Sequence, residues 1–268
     1  MTEALTYEWL RLRTLRSTWW LTGLAVLLGI GIALLISLAA RSEISGNGGA
    51  SADDVRFLPV AVVSQGSAIF VPYLLAYVVA MIGVFAWGHE YRHGMVRTTL
   101  TAVPQRTSVW VAKFTVVGLW VLAVSALTGL VSLLLGALVL SGTGLPMLTG
   151  EAWQMLGRCA VYALALTWLV TAFTAVVRHQ VVALVLMFLW PFLIENVISG
   201  VVSAVPTLDR LFGDVVRYLP FDAGNAIIRE VDIGLGAPLG AWAGFAVFAG
   251  TAVVLMVLSL VLFRGRDA

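Results

Sequence analysis

The chain has 268 residues, of which 60% are hydrophobic and only 11% are charged, and its mean hydropathy is +0.99. Soluble domains carry about 25% charged residues, so this composition excludes a soluble globular protein and predicts one that lies in a lipid bilayer. The net charge of +2 gives no reason to expect a nucleic-acid partner. The single cysteine, Cys159, excludes an intrachain disulfide and a cysteine metal cluster.

The N-terminal segment, residues 2–16, is predicted to form an amphipathic helix. Its apolar residues recur at helical spacing: Leu5, Trp9, Leu12 and Leu15. Such a helix lies in the membrane interface, with its charged face at the headgroups. The expected interfacial anchors are Trp9, Arg11, Arg13 and Arg16. The alternative is a signal peptide, but the apolar run that follows is longer than the roughly 7–15 residues of a signal-peptide core.

Six apolar runs are long enough to cross a bilayer, which requires about 20 residues. The predicted spans are 17–40, 67–87, 114–140, 153–177, 181–203 and 239–263. The fold class is therefore all-α, a polytopic membrane protein with one transmembrane domain over residues 1–268. Pro191 interrupts the fifth span and is expected to kink or break it, so its outer end is expected to continue as short re-entrant helices.

The distribution of charge predicts that both termini are cytoplasmic. With the N-terminus inside, ten basic and four acidic residues fall in the cytoplasm, against five basic and nine acidic residues outside. Basic residues concentrate on the cytoplasmic side of membrane proteins. This topology makes 88–113 a cytoplasmic loop and 204–238 an extracellular loop.

Two motifs carry a family resemblance. The segment YEWLRLRTLRSTWW (Tyr7–Trp20) resembles the start of the ABC-2 type permeases common in actinobacteria. The loop 88–113 is similar to the first cytoplasmic loop of that family, in which a Glu-Tyr-Arg, a glycine, a basic residue, a leucine and a Pro-x-Arg follow in order. Here these are Glu90, Tyr91, Arg92, Gly94, Arg97, Leu100, Pro104 and Arg106. The chain departs at Leu10 and Arg11, where a lysine-containing pair is expected.

The resemblance implies the transmembrane subunit of a bacterial ATP-binding cassette exporter, a multi-pass protein of the cell membrane. Such a subunit is not itself an enzyme and holds no cofactor; ATP and Mg belong to the partner ATPase. It works as a pair, expected to be a homodimer, with two ATP-binding subunits, and exports an amphipathic or hydrophobic molecule such as a drug, antibiotic, peptide or lipid. Independently, the chain contains no G-x-x-x-x-G-K-[ST] phosphate loop.

The loop is interpreted as the surface on which the ATPase docks. Gly94 permits a sharp turn, residues 96–103 are expected to form a short helix, and Pro104 would stop it. The predicted ATPase-coupling residues are Glu90, Tyr91, Arg92, Gly94, Met95, Arg97, Leu100 and Arg106. Glu90 is expected to pair with Arg92 or Arg97. The alternative is that the arginines bind anionic lipid headgroups, each contributing about 1 kcal/mol.

His89-Glu90-x-x-His93 also matches the helical zinc motif of metalloproteases. A catalytic zinc site needs a third protein ligand, and the predicted topology places the nearest candidate acids on the outer side. We therefore expect no catalytic residue and no metal site. A membrane-embedded zinc protease and a non-transporting membrane scaffold remain the alternative functions.

Arg158 and Glu195 are the two formal charges within the predicted spans. At 1.5 Å per residue, each lies about 9 Å below the outer face of a core about 30 Å thick. Charged groups at such depth usually pair or face a water-filled path. An intramembrane ion pair between them is predicted; contact with substrate or a role in gating is the alternative.

Overall fold

The structure, a computed structural model, describes residues 1–45, 57–67, 73–102, 105–229 and 239–265, without the side chains of Arg97, Leu100 and Ala102. Within these ranges it contains helices and no strand. The helices are α1 (Thr2–Thr14), α2 (Arg16–Ser45), α3 (Leu58–Val63), α4 (Leu74–Arg92), α5 (Val96–Ala102), α6 (Arg106–Val139), α7 (Gly150–Val177), α8 (Gln180–Leu189), a π-helical turn (Trp190–Ile194), α9 (Glu195–Ala204), α10 (Pro206–Val216), α11 (Pro220–Asn225) and α12 (Ala241–Gly265).

Six helices are long and apolar enough to cross a membrane, which confirms the predicted all-α polytopic fold. They are α2, α4, α6, α7, the continuous segment Gln180–Ala204 and α12. Two differ at their starts from the predicted spans. The second begins at Leu74 instead of residue 67, and the third begins at Arg106 instead of residue 114. Residues 68–72, at the predicted start of the second span, lie outside the described ranges.

The central helix is α7, which packs against α4, α6 and α12. The most apolar 18-residue windows of α4 and α7 are 67% buried, whereas those of α2 and Gln180–Ala204 are 22% buried and that of α12 is 17% buried. The mean hydropathy of that window is 1.3 in α4 and 2.5 in α2. The least apolar span is therefore among the most enclosed, and the most apolar ones present wide surfaces outward.

The contact between α4 and α7 includes hydroxyl groups that are satisfied within their own helix. Thr167, Thr171 and Thr174 each donate to the carbonyl four residues earlier, at 2.7, 2.6 and 2.7 Å. Such bonds satisfy a hydroxyl without a partner on another helix. The close approach of the two helices depends on Gly83, because a β-carbon there would lie 2.1 Å from Oγ1 of Thr171.

The fifth span passes Pro191 without a break. The helix runs from Gln180 to Ala204 through a π-helical turn at Trp190–Ile194, which includes the proline. A π-turn accommodates a proline because the missing N–H and the ring disturb only one turn. Of the two predicted outcomes, a kink or a break, the break is not observed, and the short helices α10 and α11 follow the span. Residues 230–238 of the predicted extracellular loop lie outside the described ranges.

Substitution of Gly83 by alanine is expected to destabilise the protein. The added methyl group would overlap Thr171, and overpacking of this kind costs about 1–3 kcal/mol. Thermal unfolding in detergent should therefore show a Tm several degrees below that of the wild type. Gly31→Ala, in α2, is the matched control because no atom lies within 4 Å of its added β-carbon. Equal melting temperatures for the two variants would contradict this description of the α4–α7 contact.

Candidate functional site

The buried face of α1 includes an acidic residue. Ala4, Glu8 and Leu12 are buried along one line of the helix, and Glu8 is only 5% exposed. The predicted apolar face was a different set of positions, centred on Leu5, Trp9, Leu12 and Leu15. That prediction is corrected here: α1 packs against α6, and it does so through a face that includes a carboxylate.

Lys113 explains why this carboxylate is buried. The chain's one lysine lies on α6 and is fully buried, although its position at the end of the predicted loop suggested a cytoplasmic surface residue. Its Nζ lies 2.6 Å from Oε1 of Glu8 and 2.6 Å from Oε1 of Glu90. It also lies 5.0 Å from the centre of the Trp87 ring. One ammonium group therefore joins α1 and α4 to α6.

Arg11 is the second cation of this cluster. Its Nη1 lies 2.5 Å from Oε1 of Glu90 and 3.3 Å from Oε2 of Glu8, and its Nη2 donates to the Ala86 carbonyl at 3.2 Å. The Thr99 hydroxyl, on α5, donates to Oε1 of Glu90 at 3.5 Å. We call Glu8, Arg11, Glu90 and Lys113 the ion cluster. It connects α1, α4 and α6 and touches α5.

The ion cluster has two acidic and two basic groups, so its formal charges balance. Isolated ions are very costly to bury, and ion pairs that carry additional hydrogen bonds offset that cost. A cavity of about 20 Å³ lies beside Glu8 and Arg11, which is room for about one water molecule. The cluster therefore joins the helices to one another, and the cavity beside it is too small for a drug-sized molecule.

A tight turn places α5 directly after α4. Gly94 has a φ of +64°, a conformation that favours glycine. The N–H of Met95 donates to the Glu90 carbonyl at 2.9 Å, the bond that closes a Schellman motif. The predicted helix at 96–103 is observed as α5, Val96–Ala102. Arg92, His93 and Met95 are exposed on this turn.

The predicted ATPase-coupling residues divide into exposed and buried groups. Glu90 is 1% exposed and pairs with Lys113 and Arg11, so the expected pairing with Arg92 or Arg97 is corrected. Tyr91 is half-buried, stacks on Trp87 and donates to the Ala175 carbonyl at 3.4 Å.

The last predicted coupling residue, Arg106, donates to the Phe263 carbonyl in α12 at 3.1 Å. Glu90, Tyr91 and Arg106 thus attach the loop to the spans. The side chains of Arg97 and Leu100 are outside the described part.

Of the predicted interfacial anchors, Trp9, Arg13 and Arg16 are exposed. Trp9 contacts the edge of Trp120, with ring centroids 5.8 Å apart. Arg11 is a correction, because its side chain is 14% exposed and bonds to the ion cluster.

The zinc motif is disrupted by the same cluster. Glu90, which would have to activate a metal-bound water, is bonded to Lys113 and Arg11. His93 lies beyond the last residue of α4, Arg92, at the helix cap. In the residues that the structure describes, no group of three or more histidine, cysteine or acidic side chains could hold a metal ion.

Glu195 has partners other than the predicted one. It accepts bonds from the N–H groups of Phe221 at 3.1 Å and Asp222 at 2.8 Å, and from the Trp190 indole at 3.2 Å. The N–H groups of Phe221 and Asp222 belong to the first turn of α11, where backbone donors have no partner within the helix and favour a carboxylate. Among the described salt bridges none joins Glu195 to Arg158, so the predicted ion pair is corrected. The two residues were predicted to lie at the same depth, but depth alone does not determine whether their side chains point towards each other.

Sequence reasoning missed three residues of this site: Glu8, Lys113 and Thr99. Two features of the sequence could have indicated them. Glu8 is four residues from both Ala4 and Leu12, so it lies on the same side of the helix, and Lys113 is the one lysine among 16 basic residues. Neither signal identifies the partner, because Glu8 and Lys113 are 105 positions apart in the chain.

The family described as ABC-2 family transporter protein matches residues 4–194. The chain belongs to the ABC-2 transporter family. The match includes all four residues of the ion cluster and ends at the last residue of the π-helical turn. No curated protein matches the chain.

This ABC-2 protein is the membrane permease subunit of an ABC transporter, and such a subunit pairs with an ATP-binding subunit. Membership accounts for the six spans and for the absence of a phosphate loop from the sequence. It also relates the ion cluster to the transporter, because the cluster lies next to the loop whose sequence resembles the family's ATPase-facing segment.

The variant Lys113→Met is expected to destabilise the permease strongly. It leaves Glu8 and Glu90 buried with Arg11 as the remaining cation of the cluster, and removing one partner of a buried ion pair costs about 3–5 kcal/mol. The free energy of unfolding in detergent should fall by that amount. Arg13→Met is the control on α1, and because Arg13 is exposed we expect a change within about 0.5 kcal/mol.

A second substitution distinguishes lost pairing from lost packing. Glu8→Gln in the Lys113→Met background removes one uncompensated charge, so the double variant should regain at least about 1 kcal/mol relative to additivity. Strict additivity would mean that Glu8 and Lys113 do not interact, contrary to the 2.6 Å contact.

Proposed function

We propose that this permease is the transmembrane half of a bacterial exporter that moves an amphipathic or hydrophobic molecule across the cell membrane. Two copies would assemble with two ATP-binding subunits, and both termini would face the cytoplasm. Each ATPase would dock on residues 88–106. ATP and Mg would be bound by the partner, and this chain would supply the pathway.

The ion cluster is the observation that carries this proposal. Glu90 lies four residues before Gly94 and accepts from Thr99 on α5, so the docking segment is bonded to the cluster from both sides of its turn. Lys113 and Arg11 connect that carboxylate to α6 and α1. A force applied to α5 would therefore move α1, α4 and α6 together, since separating them exposes paired charges to lipid.

The outward face of the docking segment suits a protein partner. Arg92, Met95 and Thr98 are exposed there, combining a cation, an apolar side chain and a hydroxyl. Arg97 adds a second positive charge to the same short stretch. A groove with acidic rims and an apolar floor would complement this surface, and charge complementarity of this kind sets orientation and rate of association.

The outer surfaces of the bundle support a paired assembly and an apolar cargo. Exposed large apolar side chains occupy α2, α8 to α9 and α12, among them Trp20, Leu27 and Val254. A second copy placed against part of this surface would leave a lipid-accessible seam between the subunits. An amphipathic molecule could enter that seam from the bilayer when ATPase closure rotates the two bundles.

The alternative of a zinc protease is disfavoured because its expected general base, Glu90, is bonded to Lys113 and Arg11. The alternative of a scaffold predicts the same docking surface, but it does not require that ATP hydrolysis respond to a transported molecule.

Affinity purification of the tagged permease from its native membrane tests the proposal. An ATPase should co-purify, and Arg97→Glu should lower its yield about tenfold, equivalent to ~1.4 kcal/mol of binding free energy. Arg217→Glu is the charge-matched control, because Arg217 follows α10 in the predicted extracellular loop and pairs with Asp214. His93→Ala should leave the yield unchanged.

Metal content and hydrolysis in the same eluate separate the alternatives. Zinc in a one-to-one ratio that is lost in His93→Ala, without any ATPase, would replace the transporter with the protease. ATPase activity in the eluate that no candidate cargo stimulates, over a panel of drugs, peptides and lipids, would favour the scaffold.

A further inference from the structure

The connection between the first two spans includes a buried segment. All six residues of α3 are buried, and the turn that follows it contains Ser64, Gln65 and Ser67, which are 0%, 2% and 6% exposed. The helix packs against α2, α6 and α7. This part of the chain therefore lies inside the bundle, although it belongs to a connection predicted to be extracellular.

The turn reaches well into the apolar core of the bilayer. A β-carbon on Gly29 would lie 2.6 Å from Nε2 of Gln65 and 2.7 Å from Cγ2 of Thr128. Gly29 is 13 residues from the start of α2 at Arg16, which corresponds to about 20 Å along the helix, and an apolar core is about 30 Å thick. Gln65 thus places an amide group at a depth where no bulk water is present.

The polar atoms gathered at this level have no partner in the described part of the structure. Both amide atoms of Gln65 are buried without a hydrogen bond, as are the hydroxyl oxygens of Ser67 and Thr128. On α6 the hydroxyls of Ser125 and Ser132, on adjacent turns to Thr128, are in the same condition. Leaving a buried donor or acceptor unpaired costs about 1–3 kcal/mol for each group, so these atoms together favour a bound hydrogen-bonding molecule.

The start of α4 lies beside the same place. This helix begins at Leu74, and the side chain of Leu75 reaches within 3.0 Å of the Gly29 β-carbon position that Gln65 and Thr128 also approach. The N-cap residue, Tyr73, is fully buried and makes no side-chain capping bond. The N–H of Ala76, in the first turn, donates to the Tyr73 carbonyl at 3.0 Å, and the start of a helix carries partial positive charge.

The surrounding sequence selects the chemical class of the bound group. Residues 17–40, 58–67, 74–88 and 114–139 contain no aspartate, glutamate, lysine or arginine. These four segments offer a charged ligand no countercharge, although α7, which also packs against α3, carries Glu151 and Arg158. A neutral group that both donates and accepts hydrogen bonds matches the amide and hydroxyls present.

We propose that Gln65 and Thr128, with the hydroxyls of Ser125 and Ser132 beside them on α6, form an intramembrane binding site for a neutral group that carries both a hydrogen-bond donor and an acceptor. Water supplies this group in the resting permease, and an amide or hydroxyl of the exported molecule supplies it during transport. The second source rests on the proposed function, whereas the first does not. The site gives a polar part of an amphipathic cargo a place to bind about two-thirds of the way across the bilayer core.

Thiol reactivity measures whether the site is hydrated. Because Cys159 is the one cysteine, Cys159→Ala gives a background in which Thr128→Cys can be labelled with 2-aminoethyl methanethiosulfonate in lipid vesicles. We expect it to react at least about tenfold faster than Val121→Cys, since a thiol forms the reactive thiolate where water reaches it. Val121 is the matched control, also buried on α6 and two turns away.

Two further variants make the result specific. Ser132→Cys is nearly isosteric and replaces Thr128→Cys if that variant is misfolded. Gln65→Leu added to the reactive variant should lower its rate to that of Val121→Cys, because an apolar side chain removes the central donor and acceptor. Reactivity equal to that of Val121→Cys in both the Thr128→Cys and Ser132→Cys proteins, or a rate indifferent to Gln65→Leu, would overturn the proposal.

Competition identifies the source of the group. N-methylacetamide carries one donor and one acceptor, whereas N,N-dimethylacetamide carries an acceptor alone. Slower labelling of the cysteine with the first compound than with the second supports a site that accepts a cargo amide, and equal labelling assigns the site to water. Co-purification of the ATPase is measured in a separate experiment. Slow thiol labelling would therefore contradict the binding site, whereas absence of the ATPase would contradict the proposed transport function.

Discussion

The ammonium group of Lys113 lies between two carboxylates that come from distant parts of the chain, and the inner end of the bundle depends on this contact. Glu8 belongs to the N-terminal helix and Glu90 to the end of the second span, and both are buried. With Arg11 added, the charges balance, so the ions can be buried where these helices meet. The turn at Gly94, where we propose that the ATPase docks, follows directly from the helix end that Glu90 fixes. In the proposed mechanism, movement of the ATPase is therefore transmitted to the spans through the ion pairs of Glu8, Arg11, Glu90 and Lys113.

The six spans could be predicted because lipid imposes one strong condition on sequence, namely about 20 consecutive apolar residues whose backbone is satisfied internally. The turn at Gly94 was likewise local, since a glycine after a helical run and a proline ten residues later are readable signals. The partners of Glu90 and Glu195 are distant in the chain. Glu90 bonds to Arg11 and Lys113, and Glu195 bonds to the start of α11. These pairings depend on how each helix is rotated about its axis. Hydropathy and depth contain no information on that rotation.

Some buried polar groups in the spans have hydrogen-bond partners and others have none in the described structure. The threonines of α7 bond to their own helix, and Glu195 bonds to the first N–H groups of α11, so these groups are paired where they are buried. Gln65 and the hydroxyls along α6 are buried without such partners in the described structure. An unpaired ion costs far more to bury than an unpaired dipole, which matches the pairing of Glu195 and the unpaired state of Gln65 at a similar depth. The paired groups hold helices together, and the unpaired ones are those proposed to bind a ligand.

The enclosure of α4 has a consequence for how the protein is made. Its mean hydropathy of 1.3 is the lowest of the six spans, and 67% of its central window is covered by other helices, chiefly α7. A segment leaving the ribosome partitions into lipid according to its own apolarity, so this helix is the weakest in the chain at inserting by itself. Its main neighbour, α7, is synthesised only after the whole of α6. Of the contacts that enclose the second span, those with α2 are available when it is synthesised, whereas those with α7 form only after the fourth span has been made.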